Sequence, residues 1–418
     1  MTPADPAPVL RPPVLDTPSP AELIAALDAL PGRDALMPVL DALPDARLVG
    51  GAVRDILAGR PSADLDLGTP SPPEDTMRRA VAAGLKAVPT GLAHGTVTIV
   101  SAGRPVEVTT LRRDVQTDGR HAVVAWTESW TEDAGRRDFT INAMSLGRDG
   151  VLHDPFGGVR DLRERRVRFV GEAARRIEED ALRILRFFRF HARFGGSVPD
   201  AEAVAAIATG AAGLDRLSAE RVQAELFRLL RLPDPAGAVT LMHELGVLDR
   251  VLPGVGDPAP LARLVALGAP ADPVLRLAAL AGTESAAAAR RLKLSNADAV
   301  RLAGLAEPGT LRPDAGDAEL RRSLAGREPA LLIDRTWLAQ AGDRNGPADW
   351  AALRRQLADT PRPVFSVSGR DAVAAGIRAG PEVGRALAAV HDWWLSEGCR
   401  PDREDCVRKL EAFAAAMG

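Results

Sequence analysis

From Ala46 to Leu111 the apolar positions fall in short runs, RLVG, ADLDLG, GTVTIV and PVEVTTL, separated by turns or by a polar stretch after Pro73. Short β-rich runs bounded by Gly and Pro predict strands, and the stretch after Pro73 predicts a helix among them. The segment therefore reads as a small α/β domain with a mixed sheet. Ahead of it, residues 1 to about 20 are rich in Pro and read as a tail, followed by the short amphipathic helix AELIAALDAL. Residues 112 to 135 have little periodicity and many polar positions, which predicts a loop, Asp118 and Arg120 included. From 171 to 195, GEAARRIEEDALRILRFFRFHARFG keeps helical periodicity throughout. At ~100° per residue, Ile177, Ala181, Ile184, Leu185, Phe188 and Ala192 share one arc, the predicted buried face of one helix. LDRLSAERVQAELFRLLRLPDP predicts a further helix ending at Pro233, and from 236 onward the chain shows only Ala- and Arg-rich amphipathic helices broken by Pro and Gly.

Length allows several domains with ample cores in these 418 residues. With 46% hydrophobic and 26% charged residues the composition is that of an ordinary soluble protein. A formal net charge of −3 neither points to nucleic acid nor argues against it, because binding needs only a local basic stripe. Nearly all the positive charge is Arg, which suits phosphate contacts and equally fits a biased codon usage. Cys399 and Cys406 form no CxxC and have no histidine cluster beside them, so neither a zinc site nor a disulfide framework is indicated. With no basic-then-apolar N-terminus and no apolar stretch approaching ~18 residues, a reducing cytoplasm without membrane partners is expected.

The densest chemistry lies in LVGGAVRDILAGRPSADLDLGT, residues 48 to 69. On a strand Asp64 and Asp66 point one way while Leu65 and Leu67 point into the core. Two such carboxylates seat Mg²⁺, which prefers one or two carboxylates plus phosphate oxygens, or they are simply a solvated strand end. Gly50 and Gly51 let the backbone approach a phosphate at a helix N-terminus, and Arg54 adds a charged fork. Glu107, between Val106 and Val108, is either an exposed strand glutamate or a third acidic group beside Asp64 and Asp66. Such a cluster, holding two metals, clamps the attacking and leaving oxygens of a phosphoryl displacement.

Further along, RRDFTINAM crowds Arg136, Arg137 and Asp138 ahead of an apolar patch. It is either a helix start capped by Asp138 or a grip on a phosphate and a ribose hydroxyl. Asp154 to Gly158 predict a tight turn, and RDLRERRVR after it carries five arginines in nine residues, as phosphate contacts or as an exposed helix flank. On the polar side of the 171–195 helix, Glu179, Asp180, Arg183 and Arg186 lie close together, with Asp180 and Arg183 adjacent at i and i+3. That pair is either surface decoration or a reader of bases. Cytosine and adenine each present an exocyclic amine beside a ring-nitrogen acceptor, which a carboxylate and a guanidinium complement. Uracil and guanine present the reverse order and leave like groups facing each other. His391-Asp392 stands alone, without the pattern of a metal phosphohydrolase.

LVGGAVRDILAGRPSADLDLGT, GLAHGTVTIV with EVTTLRRD, RRDFTINAM, HDPFGGVRDLRERRVRFVG and EEDALRILRFFRF, in this order and spacing, resemble the successive signatures of the class II nucleotidyltransferases. These are the bacterial CCA-adding tRNA nucleotidyltransferases and poly(A) polymerases, and the resemblance covers residues 47 to about 195. Where the poly(A) branch carries a basic segment after the metal aspartates, this chain has GLAHGTVTIV, as the tRNA enzymes do. The resemblance implies an α+β chain: a polymerase-β-like nucleotidyltransferase head with a mixed sheet, then all-helical neck, body and tail. On that plan a tail and leading helix occupy residues 1–33, the head 34–165, the neck 166–235, the body 236–330 and the tail 331–418. It implies metal ligation by Asp64 and Asp66, catalysis by these two with Glu107, and Mg²⁺ as cofactor. It implies a triphosphate grip by Gly50, Gly51 and Arg54, sugar contacts from Arg137 and Asp138, and base templating by Asp180 and Arg183. Asn142, Arg186 and Arg189 complete the implied nucleotide-binding set. The expected substrates are CTP, ATP and the tRNA acceptor end, and no protein partner is implied. The expected activity is template-independent addition of C, C and A to the tRNA 3′ end. A narrower enzyme adding only CC, only A or a poly(A) tail is the alternative, and a non-catalytic RNA-binding relative is the remaining class.

Overall fold

The computed structural model describes residues 18–61, 65–117, 122–309, 311–343 and 349–417, so Asp64, Asp118 and Arg120 lie outside the described residues. It divides into two compact units, Met1–Val251 and Leu252–Gly418.

In the first unit two helices, α1 (Pro20–Asp28) and α2 (Arg33–Ala42), precede β1 (Arg47–Val49), α3 (Gly51–Leu57), β2 (Asp66–Thr69) and α4 (Pro73–Ala82). Ser19 caps α1 reciprocally with Glu22, a capping box that fixes where the leading helix starts. β3 (Lys86–Gly91), β4 (Thr96–Ser101) and β5 (Arg104–Thr110) complete one half of a seven-stranded sheet of order β3-β4-β5-β2-β1-β8-β9. β8 (Ser145–Leu146) and β9 (Leu152–His153) close its other edge. β2 and β5 run parallel and the remaining pairs antiparallel, so the sheet is mixed, as expected. Period-two alternation sends Leu48, Leu67, Val97, Ile99, Val106 and Val108 into the core, and α2 and α4 pack on the sheet.

The expected loop at 112 to 135 is instead a two-stranded ribbon, β6 (Arg112–Thr117) with β7 (Ala122–Trp126), followed by α5 (Trp130–Gly135). AVVAW is a β-rich run after an Asp-Gly pair, a hairpin signal outweighed in the reading by its polar neighbours. A helix starting at Asp138 does not form either. α5 has already ended at Gly135, and a 3-10 turn spans Thr140–Asn142.

α6 (Gly158–Arg163), α7 (Ala173–Glu179), α8 (Leu182–Phe194), α9 (Ala201–Gly210), α10 (Ala219–Leu230), α11 (Ala236–Glu244) and α12 (Val247–Val251) finish the unit. The single helix predicted over 171 to 195 is broken. Asp180 takes an extended conformation (φ −156°, ψ 105°), and its Oδ1 accepts the free Leu182 N–H at 3.1 Å. A short carboxylate competing with the helix for a backbone donor is the cause. α8 is also buried more widely than the predicted arc. Phe187, Phe190 and Phe194 are buried as well, and Phe190 and Phe169 approach Phe139 at ring centroids of 5.1 and 4.9 Å. Ala192, placed on the arc, is half-buried. α10 ends at Leu230, ahead of Pro233, and begins only at Ala219 after a 3-10 turn.

In the second unit ten helices follow among the described residues: α13 (Ala259–Ala266), α14 (Pro273–Ala281), α15 (Ser285–Arg291), α16 (Asn296–Ala306), α17 (Asp317–Gly326), α18 (Pro329–Gly342), α19 (Trp350–Asp359), α20 (Gly369–Ala374), α21 (Pro381–Ser396) and α22 (Arg403–Met417). One core gathers Leu320, Leu324, Leu332, Trp350, Leu353 and Leu357; another gathers Ala386, Val390, Trp394, Leu410 and both free cysteines. Arginine serves this unit internally. Buried Arg335 donates to the carbonyls of Gly304, Glu307 and Pro308 at the end of α16, and Arg301 bridges Asp272 and Asp334.

Candidate nucleotide site

The sheet supplies one side of the site. Asp66 opens β2 and Glu107 lies directly beside it on the parallel strand β5, both exposed while Leu65, Leu67, Val106 and Val108 are buried. In-register neighbours on parallel strands share a face, so the two carboxylates stand together. Hard oxygen donors at this spacing suit a divalent cation. Asp64 lies outside the described residues.

At the end of β1, Gly50 has φ +65°, and a Cβ there would come within 2.8 Å of the Arg137 guanidinium. Only glycine combines that backbone with that approach. α3 starts at the next residue, Gly51, and Arg54 follows one turn on. Arg54 is 6% exposed, and its guanidinium donates to Asp55 Oδ1 and to Asn142 Oδ1 at 2.5 Å, with Phe194 at 4.4 Å beneath it. Much of the fork expected to meet a triphosphate is thus spent on protein partners, although Arg54 still lines the cavity.

That cavity, of about 430 Å³, is lined by Gly50, Gly51, Arg54, Arg137, Asp138 and Asn142 from the sheet side. From the helices it is lined by Asp180, Leu182, Arg183, Arg186, Phe190 and Arg221. Asp138 is buried within a web of donors: the Phe139 N–H and the Asn142 amide on Oδ1, and Arg186 Nε at 2.7 Å on Oδ2. Burial alone would raise its pKa. The Arg186 charge and these hydrogen bonds outweigh it and hold the carboxyl below the usual range. Asp133 behaves likewise, its burial overcome by Arg136 and Arg137. Arg186 Nη1 also faces Glu225 at 3.8 Å; Glu225, 2% exposed on α10, accepts from Arg189 at 2.7 Å and from Arg228 at 2.6 Å.

Asp180 and Arg183 do not pair with each other as the helical spacing suggested. Asp180 Oδ2 accepts from Arg221 at 2.8 Å, while Arg183 donates to Glu179 and to the carbonyls of Arg176 and Arg136. Those are three of the five guanidinium N–H groups, so two donors remain to Arg183. Asp180 keeps acceptor positions beyond those used by Leu182 and Arg221.

The structure thus brings most of the expected nucleotide-binding residues to one cavity, with Arg189 turned instead to Glu225. Arg221, Leu182 and Phe190 line it without having been anticipated. A signal existed in α10: Glu225 falls among Val222, Leu226 and Leu229 on the buried face, and a carboxylate there implies a cationic partner. The arginine-rich run 160 to 168 is mostly occupied internally. Arg166 and Arg168 clamp the fully buried Asp161, Arg165 donates to the Gly195 carbonyl, and Arg160 pairs with Glu164. Asp154 caps the predicted turn by accepting from the N–H groups of Gly158 and Val159.

A model of the poly(A) polymerase head domain matches residues 46–168, and one described as a probable RNA- and SrmB-binding site of polymerase A matches 199–257. The chain is 39% identical over 366 residues to the CCA-adding enzyme of Geobacillus stearothermophilus, covering 83% of this chain and 87% of that protein. It is 34% identical over 388 residues to mouse mitochondrial CCA tRNA nucleotidyltransferase 1, covering 88% and 86%. The crystal structure of the Bacillus stearothermophilus CCA-adding enzyme in complex with CTP is similar with a TM-score of 0.74 at 31% identity, covering 93% of this chain and 98% of that one.

Proposed function

The chain belongs to the CCA-adding tRNA nucleotidyltransferases, and we propose that it adds C, C and A to the tRNA 3′ end from CTP and ATP, without a nucleic-acid template and with release of pyrophosphate. One observation carries this reading: a single cavity is lined at once by the glycine turn, by the Arg137-Asp138 pair and by Asp180 and Arg183. A phosphate-tolerant turn and a base-reading pair on opposite walls are what a polymerase needs when the protein replaces the template.

In this mechanism Gly50 and Gly51 bring backbone to the triphosphate, with the positive field of Arg54 and Arg137 behind them. Asp138 fixes Arg186 and Asn142, and its remaining acceptor capacity with the Arg137 donors serves the sugar. Asp180 accepts the exocyclic amine of cytosine or adenine, and Arg183 donates to the adjacent ring nitrogen. Uracil and guanine leave a donor facing a donor and an acceptor facing an acceptor, at roughly 1–3 kcal/mol each. Asp64 and Asp66 would hold Mg²⁺, with Glu107 as the third acidic group; when bound, the metal supplies charge that activates the RNA 3′ hydroxyl and neutralises pyrophosphate. No covalent enzyme intermediate is required. Residues 34–165 act as head, 166–235 as neck, and 236–330 and 331–418 as body and tail holding the acceptor end. Both cysteines are free and buried, and no helix among the described residues is long and apolar enough to cross a membrane, which fits work in a reducing cytoplasm.

The test is tRNA lacking its CCA, incubated with CTP, with ATP and with both. Extension by three nucleotides only with both is expected. Addition of two C residues alone, of A alone on tRNA ending in CC, or of a long A tail would overturn it in favour of a narrower enzyme.

A further inference from the structure

Asn142, 7% exposed in the 3-10 turn Thr140–Asn142, spends its side-chain amide in two directions. Oδ1 accepts from Arg54 Nη1 at 2.5 Å, across 88 positions of the chain, and Nδ2 donates to Asp138 Oδ1 at 3.0 Å. Its backbone carbonyl accepts from Arg137 Nη1 at 3.4 Å. One residue thus touches three of the charged groups that line the nucleotide cavity. On one side Arg54 lies against the glycine turn, its Nη2 3.5 Å from where a Cβ on Gly51 would stand. Its Nε and Nη2 meet Asp55 Oδ1, while Asp55 Oδ2 accepts from Arg193 at 3.5 Å. On the other side Asp138 Oδ2 holds Arg186 at 2.7 Å, on the same helix as Arg183. Arg54, Asn142, Asp138 and Arg186 therefore form an unbroken row of hydrogen bonds from the glycine turn to α8, and Asn142 is its one uncharged member.

A guanidinium only donates and an ionised carboxylate only accepts, so a group bonded to both must offer an acceptor on one side and a donor on the other. A primary amide does this, and the two charges fix which way it faces. A carboxylate in its place would set like charge against Asp138. A methyl side chain would leave Arg54 Nη1 and Asp138 Oδ1 without their shared partner, and unmade hydrogen bonds on buried groups are costly. Opposite charges then draw together across the gap. Asp138 turning toward Arg54 would loosen Arg186, which it now holds, and with Arg186 the start of α8 that carries Arg183 beside Asp180. Removal of Asn142 thus reaches the base-reading wall, although its own amide oxygen faces the phosphate side.

We propose that Asn142 is a positioning residue for base selection: by keeping Arg54 and Asp138 apart yet bonded, it holds Arg186 and α8 where Asp180 and Arg183 meet the base. The proposal rests on the functional reading above. The test measures kcat and KM for CTP and for UTP on tRNA lacking its CCA, in wild type, in Asn142→Ala and in Asn142→Asp. The second variant, assayed at about pH 8 with its new carboxyl ionised, keeps the acceptor toward Arg54 and loses the donor toward Asp138. Loss of that donor should lower the CTP over UTP preference in kcat/KM about tenfold in both variants. The CTP KM should rise about tenfold in Asn142→Ala, and the tRNA KM should stay within about twofold. A preference equal to that of wild type, with CTP and UTP losing rate alike, overturns the proposal, because a residue that only supports the fold weakens both nucleotides equally. Wild-type preference kept in Asn142→Asp alone also overturns it, since the bond to Asp138 would then be dispensable. Should Asn142→Ala not fold, Asn142→Asp is judged by the same ratio. A wild type that does not prefer CTP over UTP fails the functional reading itself, which is distinct from a selective enzyme whose Asn142 variants stay selective.

Discussion

On the sheet Asp66 and Glu107 stand exposed side by side, whereas in the wall where Asp138 meets the helices, Asp138, Arg186, Glu225 and Arg189 are joined carboxylate to guanidinium and mostly withdrawn from water. Adjacent carboxylates repel, and the wall's charges cancel. Exposed carboxylates of this kind can take a cation from solvent. The wall is organised before any nucleotide enters, so little ordering cost is left for binding. Catalysis and base selection should accordingly respond to different mutations.

The largest effect separates them most sharply. Asp66→Ala should lower turnover at least about a thousandfold, ~4 kcal/mol in transition-state terms. Thermal stability should hold, since exposed substitutions usually stay within about 0.5 kcal/mol. Single-turnover rates and a melting curve check this, and a variant keeping a tenth of the wild-type rate would remove Asp66 from metal ligation.

Asp138→Ala should, unlike Asp66→Ala, destabilise the fold. It strands Arg186 beside a wall built around its partner, and breaking a buried pair typically costs ~3–5 kcal/mol. Urea unfolding measures it, and Glu225, at 3.8 Å from Arg186, softens the loss toward the lower figure. A loss below ~1 kcal/mol would mean the wall is not held by this pair.

Base selection comes next. Asp180→Ala should reduce the CTP over UTP preference in kcat/KM by ~2 kcal/mol, since one charged hydrogen bond to the base disappears. Equal ratios in wild type and variant, with only the rate reduced, would make Asp180 a cap for α8 and a partner of Arg221.

A smaller effect comes from acid. The carboxyls of Asp138 and Asp133 titrate below their ordinary value in the folded chain, and about 3.9 applies once unfolded. Their stabilisation is fully present above that value and is lost as pH falls through the folded pKa, because the unfolded chain binds protons first. Urea midpoints should hold between pH 6 and 4.5 and decline at pH 3.5 and below, less steeply in Asp138→Asn; parallel curves would contradict this. Least affected should be Arg160→Ala, whose exposed pair with Glu164 is worth under about 1 kcal/mol to the fold.

The placement of the candidate residues was legible in the sequence wherever one short stretch carried it. The Gly50-Gly51 turn, the alternation around Asp66, and Glu107 between two valines are local patterns whose meaning follows from strand and turn geometry. The β6–β7 ribbon was missed because polar positions masked its alternation, and the break at Asp180 because helical phase runs on across a single extended residue. What the wheel drew as an ion pair of Asp180 with Arg183 became two separate alliances.

By itself the sequence determined the sheet's buried face, the exposed carboxylates, the glycine turn and the helical second half, since each depends on neighbours within a few residues. Only tertiary structure decided which charges meet. Arg221 reaches Asp180 from 41 residues away, Arg189 reaches Glu225 across 36, and Arg186 reaches Asp138 across 48. Arginines are abundant and alike along this chain, and nothing local distinguishes one that will grip phosphate from one that will neutralise a buried carboxylate. That distinction comes from packing, because a carboxylate taken out of water draws in whichever guanidinium the fold brings within hydrogen-bonding reach.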